Sequence, residues 1–415
     1  MDVLYPHCAG LDVHKKTVMA CICHTADSGR ATLMVRTFET TTPALLALQA
    51  WLVAEQVTHV AMEATGSYWK PVYNLLENSF TTWVVNPAHM KNVPGRKTDV
   101  KDAAWIAELL RHGLLTPSFI PDKPQRELRE LTRQRTRWLA ERSREVNRIQ
   151  KVLEGANIKL SSVATDVLGV SGRAMIAGLI AGQASPAGLA DLARGRLKAK
   201  HAALIPALTG HVGPHQRFLL QQLLTHIDEL DAHIVATDAE VIRRLDAQQA
   251  TIARLDTIPG IDRRTAEGVL AEIGTDLTRF PDADHLAAWA GLAPGQNESA
   301  GKRRASGTRK GNPALRAALA LAAWAASHTQ NTFLGALYRR WIKRLPKKKA
   351  IIALAHRLLI IIYHVLTTGQ PYQELGPAYH DARDRSQIVT RTVRRLECLG
   401  YRVIVEPQAI AADTV

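Results

Sequence analysis

The sequence predicts an α/β domain followed by a mainly helical chain, α/β plus α, and three observations carry that prediction. Within residues 1–121, short apolar runs of period two alternate with amphipathic runs of helical period. From about 122 to 250 the pattern is helical almost throughout. From 251 to 415, apolar helical segments are separated by turns rich in Gly, Pro and Arg.

In the first section, CAGLDV reads as a strand that turns at HKKT and returns through Cys21 and Cys23, and ATLMVRTFE makes a third strand. Helix TPALLALQAWLVAEQ, strand THVAME, helix SYWKPVYNLLEN, strand TTWVVN and helix KTDVKDAAWIAELLRHG follow. A three-strand meander followed by alternating helices and strands predicts a mixed sheet with helices on both faces, the ribonuclease-H-like arrangement. That arrangement sets the ends of the first and fourth strands side by side, with the last helix crossing them.

The middle section opens on KPQRELRELTRQRTRWLAERSREVNRIQKVLEG, whose apolar face (Leu128, Leu131, Trp138, Leu139, Val146, Ile149, Leu153) is surrounded by arginines that are candidate contacts for a nucleic-acid backbone. It closes on a heptad, with Leu220, Leu223, Ile227, Leu230, Ile234 and Val241 at a and d positions and Thr237 interrupting. A coiled coil between chains and a helical hairpin within one chain both satisfy that pattern. In the third section, Pro259 and Gly260 turn the chain between two short helices, a helix-hairpin-helix in which Arg263, Arg264 and free amides grip a phosphate. The tail RTVRRLECLGYRVIVEP reads as helix, Gly turn and strand.

Acidic residues stand where this fold has functional ends. Asp12 interrupts an apolar strand, and Glu63 ends another just before Gly66. Neither has a local partner of opposite sign in an obvious register, and an unpaired carboxylate in such a place is costly. Asp99 and Asp102 share one helix face by their spacing, although taken alone they also fit an N-cap region and a favourable first-turn acid. Four carboxylates on two strands and a helix suit Mg²⁺ or Mn²⁺, and paired ions about 4 Å apart activate one oxygen and stabilise another in phosphodiester cleavage.

Lys and Arg number 53 against 38 Asp and Glu, a formal net charge of +15, which predicts a polyanionic partner. Lys91, Arg96, Lys97 and Lys101 surround the helix acids, and Lys302, Arg303, Arg304, Arg309 and Lys310 crowd a Gly- and Ser-rich loop. That loop holds Ser299 and Ser306; cations around it neutralise a phosphate for attack by either hydroxyl, while a loop that only contacts the backbone satisfies the same composition. Four cysteines without a CxxC pair predict a reducing cytoplasm and no zinc site. The apolar run AIIALAHRLLIIIYHVLTT is broken by His356, Arg357 and His364, which predicts a buried helix and no membrane partner. His14 beside Asp12 and His112 beside the last helix read as structural or phosphate-contacting groups, with proton transfer as the other role.

GLDVHKK, MEATGSYW, NPAHMKNVPGRKTDVKDAAWIAELL, IPGI and GLAPGQNESAGKRRASGTRKGN together resemble the DEDD-type insertion-sequence transposases, whose N-terminal domain is similar to Holliday-junction resolvases of the RuvC type. The resemblance implies a catalytic domain over 1–121, a helical coiled-coil region over 122–250 and a C-terminal transposase domain over 251–415. It implies that Asp12, Glu63, Asp99 and Asp102 are a metal-binding tetrad and that Ser299 is the nucleophile, with Ser299-Ala300-Gly301 in place of the family's Ser-Gly pair. It implies donor and target DNA as substrates and a structured noncoding guide RNA that supplies specificity by pairing. It also implies a dimer or tetramer in which tetrad and serine meet across subunits, acting on the nucleoid in the cytoplasm. Two other functions fit the residues alone: a metal-dependent, junction-cutting endonuclease in which water attacks, and a non-enzymatic nucleic-acid-binding protein.

Overall fold

Strands β1 (His7–Val13), β2 (Thr17–Thr25) and β3 (Ala31–Glu39) form an antiparallel meander, and β4 (His59–Glu63) and β5 (Thr81–Val85) extend the sheet in parallel beyond β1. The strand order is β3-β2-β1-β4-β5. Parallel neighbours need crossovers, and helices α1 (Thr42–Ala54) and α2 (Trp69–Leu76) provide them. Helix α3 (Asp102–Arg111) comes after β5. This mixed five-stranded sheet with its helices is the arrangement that the sequence predicts. The computed structural model describes residues 2–26, 29–64, 66–86, 102–182, 185–295, 298–299, 301–303, 307–308, 310–383 and 385–405. The chain divides into two compact units, Met1–Asp122 and Lys123–Val415.

Alternation along the strands sorts their residues onto two covered faces. Ala9, Leu11, Val13, Val60 and Met62 share a core with Leu48 and Leu52 of α1 and Val72 and Leu76 of α2. Cys8, Cys21, Cys23, Ala61 and Val85 face the other way, onto Ala103, Ile106, Ala107 and Leu110 of α3. Cover on both faces explains why β1 and β2 read as nearly continuous apolar runs.

In the second unit the long helices α4 (Lys123–Gly155), α5 (Val170–Ala181) and α6 (Pro214–Arg244) come first. Ion pairs Arg142–Asp231, Arg135–Asp238 and Arg244–Glu127 step in opposite directions along α4 and α6, so the two helices pack antiparallel within one chain. The heptad face is spent there and on the helices around α5: Leu220, Ile227, Leu230, Ile234, Thr237 and Val241 are all buried.

Helices α7 (Gln249–Asp256), α8 (Arg263–Ile273), α9 (Ala283–Trp289), α10 (Pro313–Ser327), α11 (Phe333–Trp341) and α12 (Lys347–Thr368) complete the core. Helix α12 is long and apolar enough to cross a membrane, but Leu354, Ala355, Leu358, Leu359, Ile362 and Val365 are buried in that core. The tail forms a helix over Arg385–Cys398 and turns at Gly400, whose φ is +89°. Over residues 401–405 the expected strand does not form, since they pair with no strand among the described residues and Tyr401, Ile404 and Val405 are exposed; Glu406 and Pro407 lie outside the described residues. A β-favouring run needs an edge to pair with.

Candidate active site

Helix α3 lies antiparallel on β1. Leu4 N–H donates to Arg111 O at 2.9 Å, and Cys8 Sγ–H donates to Ala107 O at 3.6 Å. Farther along, a Cβ on Gly10 would fall 2.2 Å from Ala103 O and 2.4 Å from Ala107 N. Glycine is therefore required where the helix backbone rests on the strand. Each two-residue step along β1, about 6.6 Å, matches about four residues of helix. One more step carries Asp12 to the end of the helix that Asp102 opens.

The parallel register of β1 and β4 runs Cys8–His59, Ala9–Val60, Gly10–Ala61 and Leu11–Met62. One step beyond the last of these, Asp12 stands opposite Glu63. Alternation puts both on the α3 face, with Cys8, Gly10 and Ala61. Three of the four sequence candidates thus converge by topology on one end of the sheet: Asp12 and Glu63 at adjacent strand ends and Asp102 at the helix start. Asp99, Lys97 and Lys101 lie outside the described residues, as do Lys91 and Arg96.

Asp12 is half-buried, and His14 Nε2 lies 3.1 Å from its Oδ2. That histidine comes from the β1–β2 turn, which also presents exposed Lys15 and Lys16 beside the acidic end. Sequence reasoning passed over both lysines; the turn that directly follows Asp12 was the signal. His112 is at the opposite end of α3, about 15 Å along the helix from Asp102. Its Nδ1 lies 2.9 Å from Asp2 O, and its Nε2 lies 3.2 Å from Glu108 Oε1. Its place is structural, and it is not beside the acids.

The serine loop is a closed hairpin. A Cβ on Gly311 would fall 2.2 Å from Gly291 N, so the two ends of the loop touch backbone to backbone. Pro294 bridges Thr308, and Gly295 N–H donates to Gly307 O at 3.1 Å. At the tip, β6 (Glu298–Ser299) pairs antiparallel with β7 (Lys302–Arg303), with Ser299 opposite Lys302 and Gly301 at φ +72° in the turn. Ser299 thus occupies the last paired position before the turn. Lys310 is exposed near the neck, while Arg304, Ser306 and Arg309 lie outside the described residues.

A buried polar cluster anchors that neck. Asn312 caps α10 by accepting from Ala314 N and Leu315 N, and its Nδ2 donates to Glu272 Oε2 at 2.6 Å. Arg133 grips the same carboxylate with two bonds of 2.7 and 2.8 Å. Arg129 Nε lies 3.5 Å from Glu272 Oε2, and its burial pushes the guanidinium down to about 10. The arginines of α4 were candidate nucleic-acid contacts in the sequence, yet Arg129, Arg133, Arg135 and Arg142 are engaged inside the chain. Acids distant in sequence, on α6 and α8, take them up.

The turn between α7 and α8 is braced in the same way. Gly260, at φ +87°, sits against α10, where a Cβ would fall 2.4 Å from Ala322 O. Asp262 accepts from Thr265 N–H at the start of α8. Arg263 reaches Glu267 and Gln249, and Arg264 reaches Asp238. A phosphate at this turn would compete with Asp262 for the helix amide.

Comparison with known proteins bears on both regions. Residues 9–158 match the DEDD transposase family of IS110, described as a transposase, and residues 252–339 match the description "Transposase IS116/IS110/IS902 family". The chain belongs to the IS110 family of DEDD transposases. It is similar to the insertion element IS110 uncharacterized 43.6 kDa protein of Streptomyces coelicolor, 28% identical over 69% of this chain and 74% of the relative. It is also similar to the insertion element IS900 uncharacterized 42 kDa protein of Mycobacterium paratuberculosis, 29% identical over 66% of this chain and 73% of the relative. A pilin gene-inverting protein of Moraxella bovis is 34% identical, over 29% of this chain and 38% of the relative.

The first match contains Asp12, Glu63 and Asp102 of the transposase, and the second contains the hairpin that carries Ser299. Among the described residues, no three His, Cys, Asp or Glu groups close into a metal site. The all-carboxylate donor set at the strand ends is nonetheless the chemistry that suits hard divalent cations.

Proposed function

We propose that this transposase cuts and rejoins DNA strands during movement of an insertion sequence, with Asp12, Glu63, Asp99 and Asp102 as the metal-holding carboxylates and Ser299 as the nucleophile. The observation that carries this reading is the strand register, which sets Asp12 opposite Glu63 at the end of the sheet where α3 opens with Asp102. Mg²⁺ or Mn²⁺ bound there would polarise the scissile phosphate and stabilise the departing oxygen.

The chain's own residues do the rest. The carboxylates hold and orient, Lys15 and Lys16 offset phosphate charge at the same edge, and basic residues of the hairpin draw the backbone to Ser299. Ser299 Oγ bonds to phosphorus as the sugar oxygen departs; the hydroxyl gives up its proton and the leaving oxygen takes one. A hydroxyl from the partner strand then bonds to the same phosphorus and returns Ser299 to its free form, so the number of phosphodiester bonds is conserved. The relative named for inverting a pilin gene supports exchange over simple cutting.

Guidance by a structured noncoding RNA completes the proposal, supported by the formal net charge of +15. Two duplexes cut in concert call for at least two copies, so we propose a dimer or tetramer acting on the nucleoid in the cytoplasm. Chelation of divalent ions tests the reading. Junction formation is expected to stop with EDTA and resume with Mn²⁺, and exchange that ignores chelation would contradict it.

A further inference from the structure

Helix α10 keeps one whole face out of the core of the second unit. Leu315, Leu319, Ala322, Ala323 and Ala326 lie in that core, whereas Pro313, Ala317, Leu321, Trp324 and Ala325 are exposed, Leu321 at 71% and Trp324 at 60%. Ala314 and Ala318, half-buried, border the exposed row. His328, just past the helix, is exposed too, and its ring centroid lies 4.5 Å from that of Trp324. None of the exposed residues of α10 is charged. Apolar side chains scattered singly over a surface need no explanation, but an unbroken row along about 22 Å of helix marks a contact surface.

The sizes of the side chains along this face select its occupant. The first half is small (Ala314, Ala317, Ala318), the last part is bulky (Trp324, His328), and Leu321 stands between them. A phosphate backbone finds no cation among the exposed side chains of α10, so the face does not select nucleic acid. A second α10 running antiparallel about a twofold axis at Leu321 brings residues equally distant from that axis opposite one another. Trp324 then meets Ala318, His328 meets Ala314, Ala325 meets Ala317, and Leu321 meets its own copy. Bulky groups fall onto small ones, as close packing between helices requires. Parallel pairing would set Trp324 on Trp324 and Ala317 on Ala317, with crowding at one end and a void at the other.

We infer that this face of α10 binds the same face of a second copy, antiparallel and about a twofold axis. The inference rests on the proposed action of two copies and names one surface by which they meet. Apolar patches of this kind cover about 300–600 Å² per copy, so the pair buries about 600–1,200 Å², the range of weak and reversible interfaces. Asn312, which caps α10, belongs to the cluster at the neck of the Ser299 hairpin. Antiparallel pairing therefore holds the two necks at opposite ends of the contact, about 27 Å apart along the helices, and so sets the separation of two serine hairpins.

The test uses the full chain without nucleic acid. Cys398 is exposed and is first changed to Ser, which leaves the buried Cys8, Cys21 and Cys23. Chains carrying Ala317→Cys or Ala325→Cys, both at exposed positions, are treated with a short bis-maleimide, singly and mixed. Crosslinked dimer is expected chiefly from the mixture; crosslinking of each chain chiefly with itself, or none at all, would overturn the inference. Sedimentation equilibrium gives a second measure. Leu321→Ser/Trp324→Ser removes exposed apolar groups, so this chain is expected to fold as the parent does, which circular dichroism checks. Its dimer dissociation constant is expected to rise about 10- to 100-fold. A parent that stays monomeric at its highest soluble concentration, or a variant that associates as the parent does, would contradict the pairing. Lost affinity for DNA or RNA with association unchanged would give the face to nucleic acid and overturn it as well. Strand exchange is not assayed in either measurement, so failure here leaves the proposed chemistry standing, and failure of that chemistry leaves the association to be measured.

Discussion

At Gly10, a single methyl group would strike the carbonyl of Ala103 and the amide of Ala107, backbone atoms that cannot swing aside. Gly10→Ala is therefore expected to destabilise the first unit by about 1–3 kcal/mol and to shift α3, with Asp102, away from Asp12. Urea unfolding and Mg²⁺-dependent strand cleavage measured together would show both losses. Asp12→Ala separates the two effects: unfolding is expected to stay within about 0.5 kcal/mol of the parent while metal-dependent cleavage drops about 10³-fold. A large stability loss with cleavage intact would make Asp12 a structural residue. Asp12 and Glu63 were legible because a carboxylate in an apolar strand contradicts its neighbours. Lys15 and Lys16 were not, because an exposed lysine in a turn looks like any solvated charge until the strand ends are known.

Among the elements, the hairpin of Ser299 depends on partners far away in the chain. Glu272 is buried and holds Asn312, Arg129 and Arg133 at once. Glu272→Ala strands a buried guanidinium, so it is expected to cost about 3 kcal/mol or more and to quicken tryptic cleavage between Gly295 and Gly307. Unfolding and cleavage rates like those of the parent would mean that the cluster does not anchor the neck. Periodicity showed which face of α6 is buried: Leu220, Ile227, Leu230, Ile234 and Val241 lie inside, and Leu223 packs half-buried against the same core. It did not show the partner, because a heptad is satisfied equally by a neighbour in the same chain or in another; the opposed ion pairs with α4 decide that point. The ion pairs of Arg135 and Arg142 on α4 were not legible for the same reason, as their acids lie about a hundred residues away along the chain. Ile227→Ala is expected to cost about 2–5 kcal/mol in the second unit, measured by urea unfolding.

For the whole molecule, the formal net charge of +15 sets a long-range field that gathers polyanions without choosing among their sequences. Nucleic-acid affinity is accordingly expected to fall steeply and log-linearly with salt, and binding that ignores salt would place the contacts elsewhere than on phosphates. The element order of the first unit was legible throughout, because strand and helix periods alternate cleanly there. The proposed chemistry needs both the carboxylates of the first unit and Ser299 of the second, and one experiment tests that double requirement. Purified protein, Mg²⁺, donor and target DNA and the flanking RNA are incubated together, and any covalent protein–DNA adduct is mapped by mass spectrometry. The account predicts a phosphodiester on Ser299 that is absent from the Asp12→Ala protein; free hydrolysed ends with no adduct would contradict it.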